Sequence, residues 1–423
     1  MHPKLKMLFC GIDTHRRTHT AVIINCFAEK LGEVQFENKP SAFDEFYKNA
    51  RKYVKKGQTV VFGLEDCGAA GRPLAVFLTT KKCVVKRVNS NLSSAERKSQ
   101  PGTDKTDFID AECVARVLLT KYDTMPEFEQ HDIYWTLGTL VRKRASVVNN
   151  NIVVKNQLHA YIIAHYPSYK LFFNDFSCPT ALEFWETYPS PSKLSEVTAE
   201  ELGEMLYKRS SGFFDTVKAS QILELVEKDG DTTTGFQDSR DFMVSNCVKE
   251  IKQNNAELST IEKEIKKLMK MLPYKLESFK GIDFITAAAI VAEIGDINRF
   301  ASADKLAKFA GICPVSRSSG DTQKDIRNHF GNRRLHYIFQ GIAARNINAG
   351  RNKDKPVNGI FYEYYNRKLS QGKTTNQAIK AVMRRLVNIV YGMMKSGKEY
   401  VHPDLSNKTN VDDKGCTYPD LSI

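Results

Sequence analysis

Four carboxylates occupy settings where metal-assisted chemistry would need them. Asp13 follows an apolar run (LFCGID) and Glu65 closes another (VVFGLE). Asp107 and Asp110 stand three apart in KTDFIDAECVARVL, a spacing that puts both on one helical face. If the two runs are strands ending at one sheet edge, the four acids converge there. Phosphodiester chemistry uses such a set, because two hard divalent cations held by carboxylate oxygens about 4 Å apart stabilise both the attacking and the leaving oxygen. Magnesium is the natural ion, with manganese in the same role. Each acid taken alone reads more simply as a solvated turn residue or a helix cap; the argument lies in the set. Asp104 is left out as a candidate cap for the helix, and Asp66 and Glu112 follow in sequence and should point elsewhere. His15 and His19 are four apart, but they fall in a hairpin beside Arg16 and Arg17, where no helix holds them on one face. Surface or phosphate contact is therefore expected of them rather than zinc binding.

The elements that must position these acids can be read from hydrophobic spacing. Residues 8–24 form an apolar run, a charged turn and a second run, as a β-hairpin does, and residues 32–36 extend it. Residues 41–55 carry Phe43, Phe46, Tyr47 and Val54 at helical spacing; 59–64 reads as a buried strand, 73–79 as a helix and 83–88 as a β-branched strand. That order is α/β with a mixed sheet.

From about residue 132 to 165 strand character is lost, and Leu137, Leu140, Val147, Ile152, Leu158 and Ile162 recur at helical intervals. A counterpart over 242–272 steps Ile251, Leu258, Ile261, Ile265, Leu268 and Leu272 close to a heptad seam. The two long helices are expected to pair, within the chain or between chains. Between them, residues 167–240 are rich in Pro, Ser, Thr and aromatics and read as an inserted small helical unit.

A second chemical region follows. Residues 277–300 give a glycine turn at Gly281, an Ala-rich helix and another turn at Gly295, either a helix–hairpin–helix whose turn amides face a phosphate or a plain helical hairpin. Asp283 stands where such hairpins usually carry a second glycine. In GICPVSRSSG, Ser318 and Ser319 precede Gly320 at a tip where a backbone can come close to DNA. A serine hydroxyl is a poor nucleophile without a base or metal beside it, so by its own sequence this tip is an ordinary loop. Arg317, Lys324, Arg327, Arg333, Arg334, Arg345, Arg351, Lys353 and Lys355 make the region densely positive, and phosphate binding is the natural use. The last helix, 375–395, presents Ile379, Val382, Met383, Leu386, Ile389, Val390 and Met393 and reads as core. Residues from 403 onward are polar and expected to be disordered.

Composition sets the outer bounds. At 423 residues the chain is long enough for two or three domains, and its net charge of +13 attracts acidic partners, nucleic acid foremost. No stretch reaches the roughly 20 apolar residues that span a bilayer, so neither export nor membrane insertion is expected. Nine cysteines without a CxxC pair suggest neither a zinc knuckle nor a disulfide framework, and a reducing cytoplasm fits.

Taken together, GIDTH, GLED, KTDFIDA, the Ala-rich hairpin, and GICPVSRSSG followed by GNRRL resemble the DEDD-type insertion-sequence transposases, a group that includes the Piv-like DNA invertases. The resemblance spans about residues 7–125 and 273–398. It implies a RuvC-like, RNase H-fold domain over 1–128 with Asp13, Glu65, Asp107 and Asp110 as metal ligands. Long paired helices over 129–272 carry the insertion, and a mostly α C-terminal domain spans 273–400, with a tail beyond. It further implies that Ser319 is the nucleophile, with Ser318 as the alternative, and that Arg317, Lys324, Arg327, Arg333, Arg334 and Arg345 meet nucleic acid. Implied partners are donor and target double-stranded DNA, a structured noncoding guide RNA and further copies of the chain in a dimer or tetramer, in the cytoplasm of a bacterial or archaeal cell. Because acids and serine fall in separate domains, completion of the site between protomers is one arrangement to consider. Three departures from the family pattern stand out: His329 in place of the usual lysine together with His336 where arginine is common, which weaken any phosphate role there; Asp283, which breaks the hairpin's glycine pair; and the insertion at about residues 167–240, which makes the chain longer than usual. Rival readings are a junction nuclease that activates water with the same acids, an invertase, and an inactive nucleic-acid-binding remnant of a mobile element.

Overall fold

The computed structural model describes residues 2–100, 104–128, 132–319, 322–326, 328, 331–348 and 356–402, with the side chains at 132, 315–319 and 322–326 outside that description. The chain divides into two units, Met1–Asp132 and Ile133–Ile423.

The first unit is a five-stranded mixed sheet between helices. Its elements are β1 (Met7–Thr14), β2 (Thr18–Ile24), β3 (Lys30–Glu37), α1 (Pro40–Arg51), β4 (Thr59–Leu64), α2 (Arg72–Thr80), β5 (Val84–Arg87), α3 (Ser90–Ser99) and α4 (Asp107–Lys121). The strand order is β3-β2-β1-β4-β5. β1 pairs antiparallel with β2 and parallel with β4, and the parallel register sets Gly11 opposite Gly63 and Ile12 opposite Leu64. Alternation along the strands separates two cores. Leu8, Cys10, Ile12, Phe62 and Leu64 pack with Phe43 and Phe46 of α1 and Leu74 and Leu78 of α2. Phe9 and Val61 pack with Ala111, Val114, Ala115 and Leu118 of α4.

The odd-numbered face of β1 and β4 therefore belongs to α4, and it carries Phe9, Gly11 and Asp13 beside Val61, Gly63 and Glu65. α4 lies directly on this face because Gly11 has no side chain. A Cβ there would stand 2.2 Å from Ala115 N and 2.3 Å from Ala111 O. The strands and helices expected over residues 8–88 are all present, while α3, with Ser93 its one buried residue, gave no hydrophobic periodicity to detect.

The second unit is mostly helical. α5 (Asp132–His165) is followed by α6 (Pro179–Thr187), α7 (Ala199–Arg209), α8 (Thr216–Asp229) and α9 (Gln237–Met269). α5 and α9 run antiparallel within the chain, joined by Arg144 to Glu262 at 2.7 Å, Lys143 to Glu257 at 2.8 Å and Asn150 to Glu250 at 2.9 Å. One end of the pair (Leu158, Ile162, Val244, Val248) closes a core around Phe172, Phe184 and Trp185, so the inserted segment is a small helical unit with its own packing. The other end (Leu137, Val147, Ile261, Ile265) joins the core of the C-terminal elements. Those are α10 (Phe284–Ile294), α11 (Ala303–Phe309), the hairpin β6 (Val315–Ser319) and β7 (Thr322–Ile326), α12 (Arg333–Ile347), α13 (Gly359–Ser370) and α14 (Thr375–Ser396). Among the described residues no helix is long and apolar enough to cross a membrane. The tail from residue 403 lies outside the described residues.

The Gly11 contact generates a prediction. Gly11→Ala forces backbone apart, where a flexible neighbour cannot yield, and should cost about 3 kcal/mol or more, the upper end of overpacking penalties. Gly341→Ala, at an exposed mid-helix glycine with nothing within 4 Å of a new Cβ, should instead stabilise by up to about 1 kcal/mol. Paired denaturant melts check both signs; an unchanged midpoint for Gly11→Ala would show that α4 does not depend on this approach.

Candidate metal centre and serine hairpin

Three separate segments bring the four acids together. Asp13 lies near the end of β1, Glu65 directly follows β4 as its parallel neighbour, and Asp107 and Asp110 occupy the first turn of α4. Thr106 caps that helix, its side chain accepting from Ile109 N at 3.2 Å, so the cap expected of Asp104 falls to Thr106. Two carboxylates in a first helical turn face the positive end of the helix dipole, which favours their charge.

Asp13 is the innermost of the set, 9% exposed. Burial pushes its carboxyl above the ordinary range, the His15 ring opposes that shift, and the fields of Glu65, Asp110 and Asp107 add to it. Three acids thus act on Asp13. The neighbours are arranged to meet that charge. His15 Nε2 lies 3.0 Å from Asp13 Oδ2 and 3.4 Å from Asp107 Oδ1. Ligand atoms of Asp13, His15 and Asp107 all fall within 4.8 Å of one another. Glu65 accepts a hydrogen bond from Ser93 and Asp110 is paired with Arg97, both from α3. A cluster of oxygen donors whose repulsion is answered in part, by the Arg97 cation and by polar contacts from Ser93 and His15, fits a hard divalent cation. Of the four expected acids, Asp13 and Asp107 fall in one close group with His15, while Glu65 and Asp110 lie outside that group and act on Asp13 through their fields.

Of the two histidines expected at the surface, His15 is exposed and His19 is not. His15 bridges two of the acids, because the turn between β1 and β2 folds it back over the end of β1. His19 is fully buried, edge-on to Phe36 at 5.5 Å. Strand alternation explains this: His19 shares the α1 face with Ala21 and Ile23, the side of the sheet opposite the acids. Burial pulls its imidazole below the usual range, so it stays neutral. Asp66 accepts from the amides of Gly68, Ala69 and Ala70, and Glu112 pairs with Arg116, both away from the cluster as expected.

Ser318 and Ser319 belong to β6, opposite Gln323 and Thr322 of β7, and Arg317 stands opposite Lys324. The side chains of Arg317, Ser318, Ser319 and Lys324, and all of Gly320, Arg327, His329, Arg351, Lys353 and Lys355, lie outside the described residues. The base of the hairpin is well defined. Gly311 (φ +67°) meets Gly331 so closely that a Cβ on Gly331 would sit 2.3 Å from Gly311 Cα, and Asn332 N donates to Phe309 O at 2.6 Å. The glycines of GICP and GNRRL are thus the two sides of one backbone crossing that gathers the hairpin's legs.

Arg333 and Arg334 open α12 and are exposed, Arg334 lying 3.7 Å from Glu293. Arg345 donates to Asp283 at 3.3 Å and to Thr286 at 3.2 Å. Asp283, in place of a glycine, caps α10 by accepting from Thr286 N at 2.7 Å. At Gly281 (φ +99°) the Cβ side is covered by the Asn346 amide of α12. His336 donates toward Ala310 O at 3.3 Å and so fastens the turn below the hairpin.

Comparisons with known proteins bear on both regions. Residues 10–167 match the DEDD-type IS110 transposases, and residues 274–356 match the family described as "Transposase IS116/IS110/IS902 family". The insertion element IS116 protein of Streptomyces clavuligerus is 23% identical over 391 residues, covering 92% of this chain and 94% of the relative. The mini-circle putative transposase for IS117 of Streptomyces coelicolor is 23% identical over 352 residues, covering 78% and 80%. The pilin gene-inverting protein of Moraxella bovis is 28% identical over 126 residues, 30% of this chain and 37% of that protein.

The electrostatics of Asp13 predict an inverted stability effect. Since folding raises its pKa, the carboxyl stabilises the fold only when protonated. That contribution is complete below the unfolded value and is lost as pH rises through the folded one. Asp13→Asn should therefore melt a few degrees above the wild type at neutral pH without divalent metal, the advantage vanishing in acid. Magnesium or manganese at about a hundred times Kd should stabilise the wild type by about 2.7 kcal/mol and leave the variant unmoved. Equal metal responses in calorimetry would remove Asp13 from the ligand set.

Proposed function

The chain belongs to the DEDD-type insertion-sequence transposases of the IS110/IS116 family, and from that premise we propose that it cuts and rejoins DNA with a serine nucleophile beside a four-carboxylate metal site. The observation that carries this reading is the convergence on Asp13 of Glu65, Asp107 and Asp110, acids drawn from two strand ends and one helix start. The five-stranded mixed sheet with that acid edge supports an RNase H-like, RuvC-type assignment for the first unit.

Magnesium or manganese held by Asp13, Glu65, Asp107 and Asp110 supplies charge stabilisation to the phosphate oxygens at the reacting centre. The chain's own residues do the rest. The Ser319 hydroxyl oxygen, or that of Ser318, attacks phosphorus and loses its proton; the bond from phosphorus to the leaving sugar oxygen breaks, and that oxygen takes up a proton. The result is a phosphoserine ester that keeps the energy of the broken bond, so attack by a sugar hydroxyl of another strand rejoins DNA without ATP. His15, between Asp13 and Asp107, holds the two carboxylates in place. Arg317, Lys324, Arg327, Arg333 and Arg334 contact phosphates, Arg345 supporting them through Asp283. Recognition of donor and target by a structured guide RNA fits a protein whose cations read backbone rather than bases. Exchange between two duplexes cuts four strands, which one serine per chain meets as a tetramer or as successive dimers.

A second reading, a nuclease in which the acids activate water, is favoured by one fact: all four acids assemble within the first unit alone. A denaturing gel separates the two. With DNA carrying the element's junction and magnesium, the wild type should leave a covalent protein–DNA adduct that both Ser319→Ala and Asp13→Ala abolish. Cleaved DNA without adduct, undiminished by Ser319→Ala, would establish the water reaction instead.

A further inference from the structure

The final helix has two faces, and hydrophobic spacing reveals only one. Val382, Met383, Leu386, Val390 and Met393 are buried in the core, as expected. On the other side Gln377, Lys380, Ala381, Arg384 and Arg385 follow one another at helical spacing and form one wall of an open cleft of about 790 Å³. Tyr364 and Lys368 of α13, Lys373 of the following turn, Asn328 and residues 311–314 complete it. Five lining side chains, Lys368, Lys373, Lys380, Arg384 and Arg385, are cationic, and no acid is among the described lining residues.

Pairing separates these cations. Arg384 is answered by Asp304 and by Asn388. Arg367 lies 5.3 Å and Lys368 and Arg385 both 5.4 Å from the Tyr364 ring centroid, so that ring orients three cations, two of them lining the cleft, instead of being open to a base. Among the described residues no carboxylate pairs with Lys368, Lys373, Lys380 or Arg385. Like charges gathered on a packed helix without acids repel one another, a cost that a bound polyanion removes. From Gln377 to Arg385 the wall runs about 12 Å at 1.5 Å per residue, long enough to face more than one phosphate of a DNA strand. The floor of the cleft, 311–314, continues directly into β6 at Val315, the strand that carries Ser318 and Ser319.

We propose that this cleft binds the phosphodiester backbone of DNA, holding a strand where it enters the serine hairpin. The inference rests on the DNA-cutting reading above and adds a site to it. Recognition here is independent of base sequence, because the charged groups offered to the ligand are all cations, which suit phosphates.

The test uses the full chain freed of co-purified nucleic acid, in chelator so that the carboxylates hold no metal. Fluorescence anisotropy follows binding of two unrelated DNA duplexes, and of an RNA of matching sequence, across a salt series. Combined Lys373→Ala, Lys380→Ala and Arg385→Ala should weaken both DNA complexes by about tenfold or more and reduce the slope of log K against log salt by about 2 to 3. The same number of cations removed from α9 by Lys249→Ala, Lys263→Ala and Lys266→Ala should leave the slope unchanged. Lys380→Arg with Arg385→Lys should retain wild-type binding, which guards against a folding defect. An unaltered slope in the cleft variant, an equal loss in the α9 variant, or a loss confined to RNA would each overturn the assignment. Failure of the wild type to bind any DNA would instead remove the broader reading.

Discussion

The approach of α4 to β1 at Gly11 is the contact on which the acid site depends. Helices pack on sheets through side chains and ordinarily stand off from the backbone, but here Ala111 and Ala115 lie against a bare glycine, with Gly63 beside it on the next strand. The first turn of α4 is thereby lowered onto the ends of β1 and β4. Two residues beyond each glycine on the same strand face come Asp13 and Glu65, and the lowered turn supplies Asp107 and Asp110. The spacing Gly11 to Asp13 and Gly63 to Glu65 is one period of a β-strand repeated on parallel neighbours. Without the shelf the acids would still be present, but Asp107 and Asp110 would stand farther from Asp13 and Glu65.

That convergence has an electrostatic cost, and α3 and the β1–β2 turn are built around it. Asp13 feels three other carboxylates while nearly buried, so its charge is disfavoured in the fold. Arg97 steadies Asp110, Ser93 steadies Glu65, and His15 stands between Asp13 and Asp107. These contacts orient the carboxylates without neutralising the set, which is the condition under which a divalent cation gains most from entering it.

Much of this organisation is legible in the sequence, for identifiable reasons. Strands β1, β2 and β4 are apolar runs bounded by turn residues, α5 and α9 hold one apolar period for over thirty residues, and each announces itself by spacing alone. The four acids stand out because each closes or opens such an element. What stayed hidden lacks a spacing signal. α3 reads SNLSSAERKS and buries only Ser93, so nothing periodic marks it, although it supplies Arg97. His15 and His19 look like a pair four apart until strand alternation sends one over the acids and the other into the opposite core. Thr106 outcompetes Asp104 as a cap because it immediately precedes the helix.

Positive charge was the least resolved quantity in the sequence, since density does not distinguish cations that hold the fold from cations that face a ligand. The structure separates them by partner. Arg144 and Lys143 tie α5 to α9, Arg345 fastens the α10 turn through Asp283, and Arg384 is met by Asp304. Lys380 and Arg385 of the final helix, whose apolar face alone was conspicuous in the sequence, and Lys373 of the turn before it line a cleft with no acid among its described residues. A helix that must pack on one side and repel itself on the other is stable only because Val382, Leu386 and Val390 anchor it in a dry core. The burial that made α14 look purely structural is thus also what allows Lys380 and Arg385 on its opposite face to remain without a carboxylate partner among the described residues, and so available to phosphate.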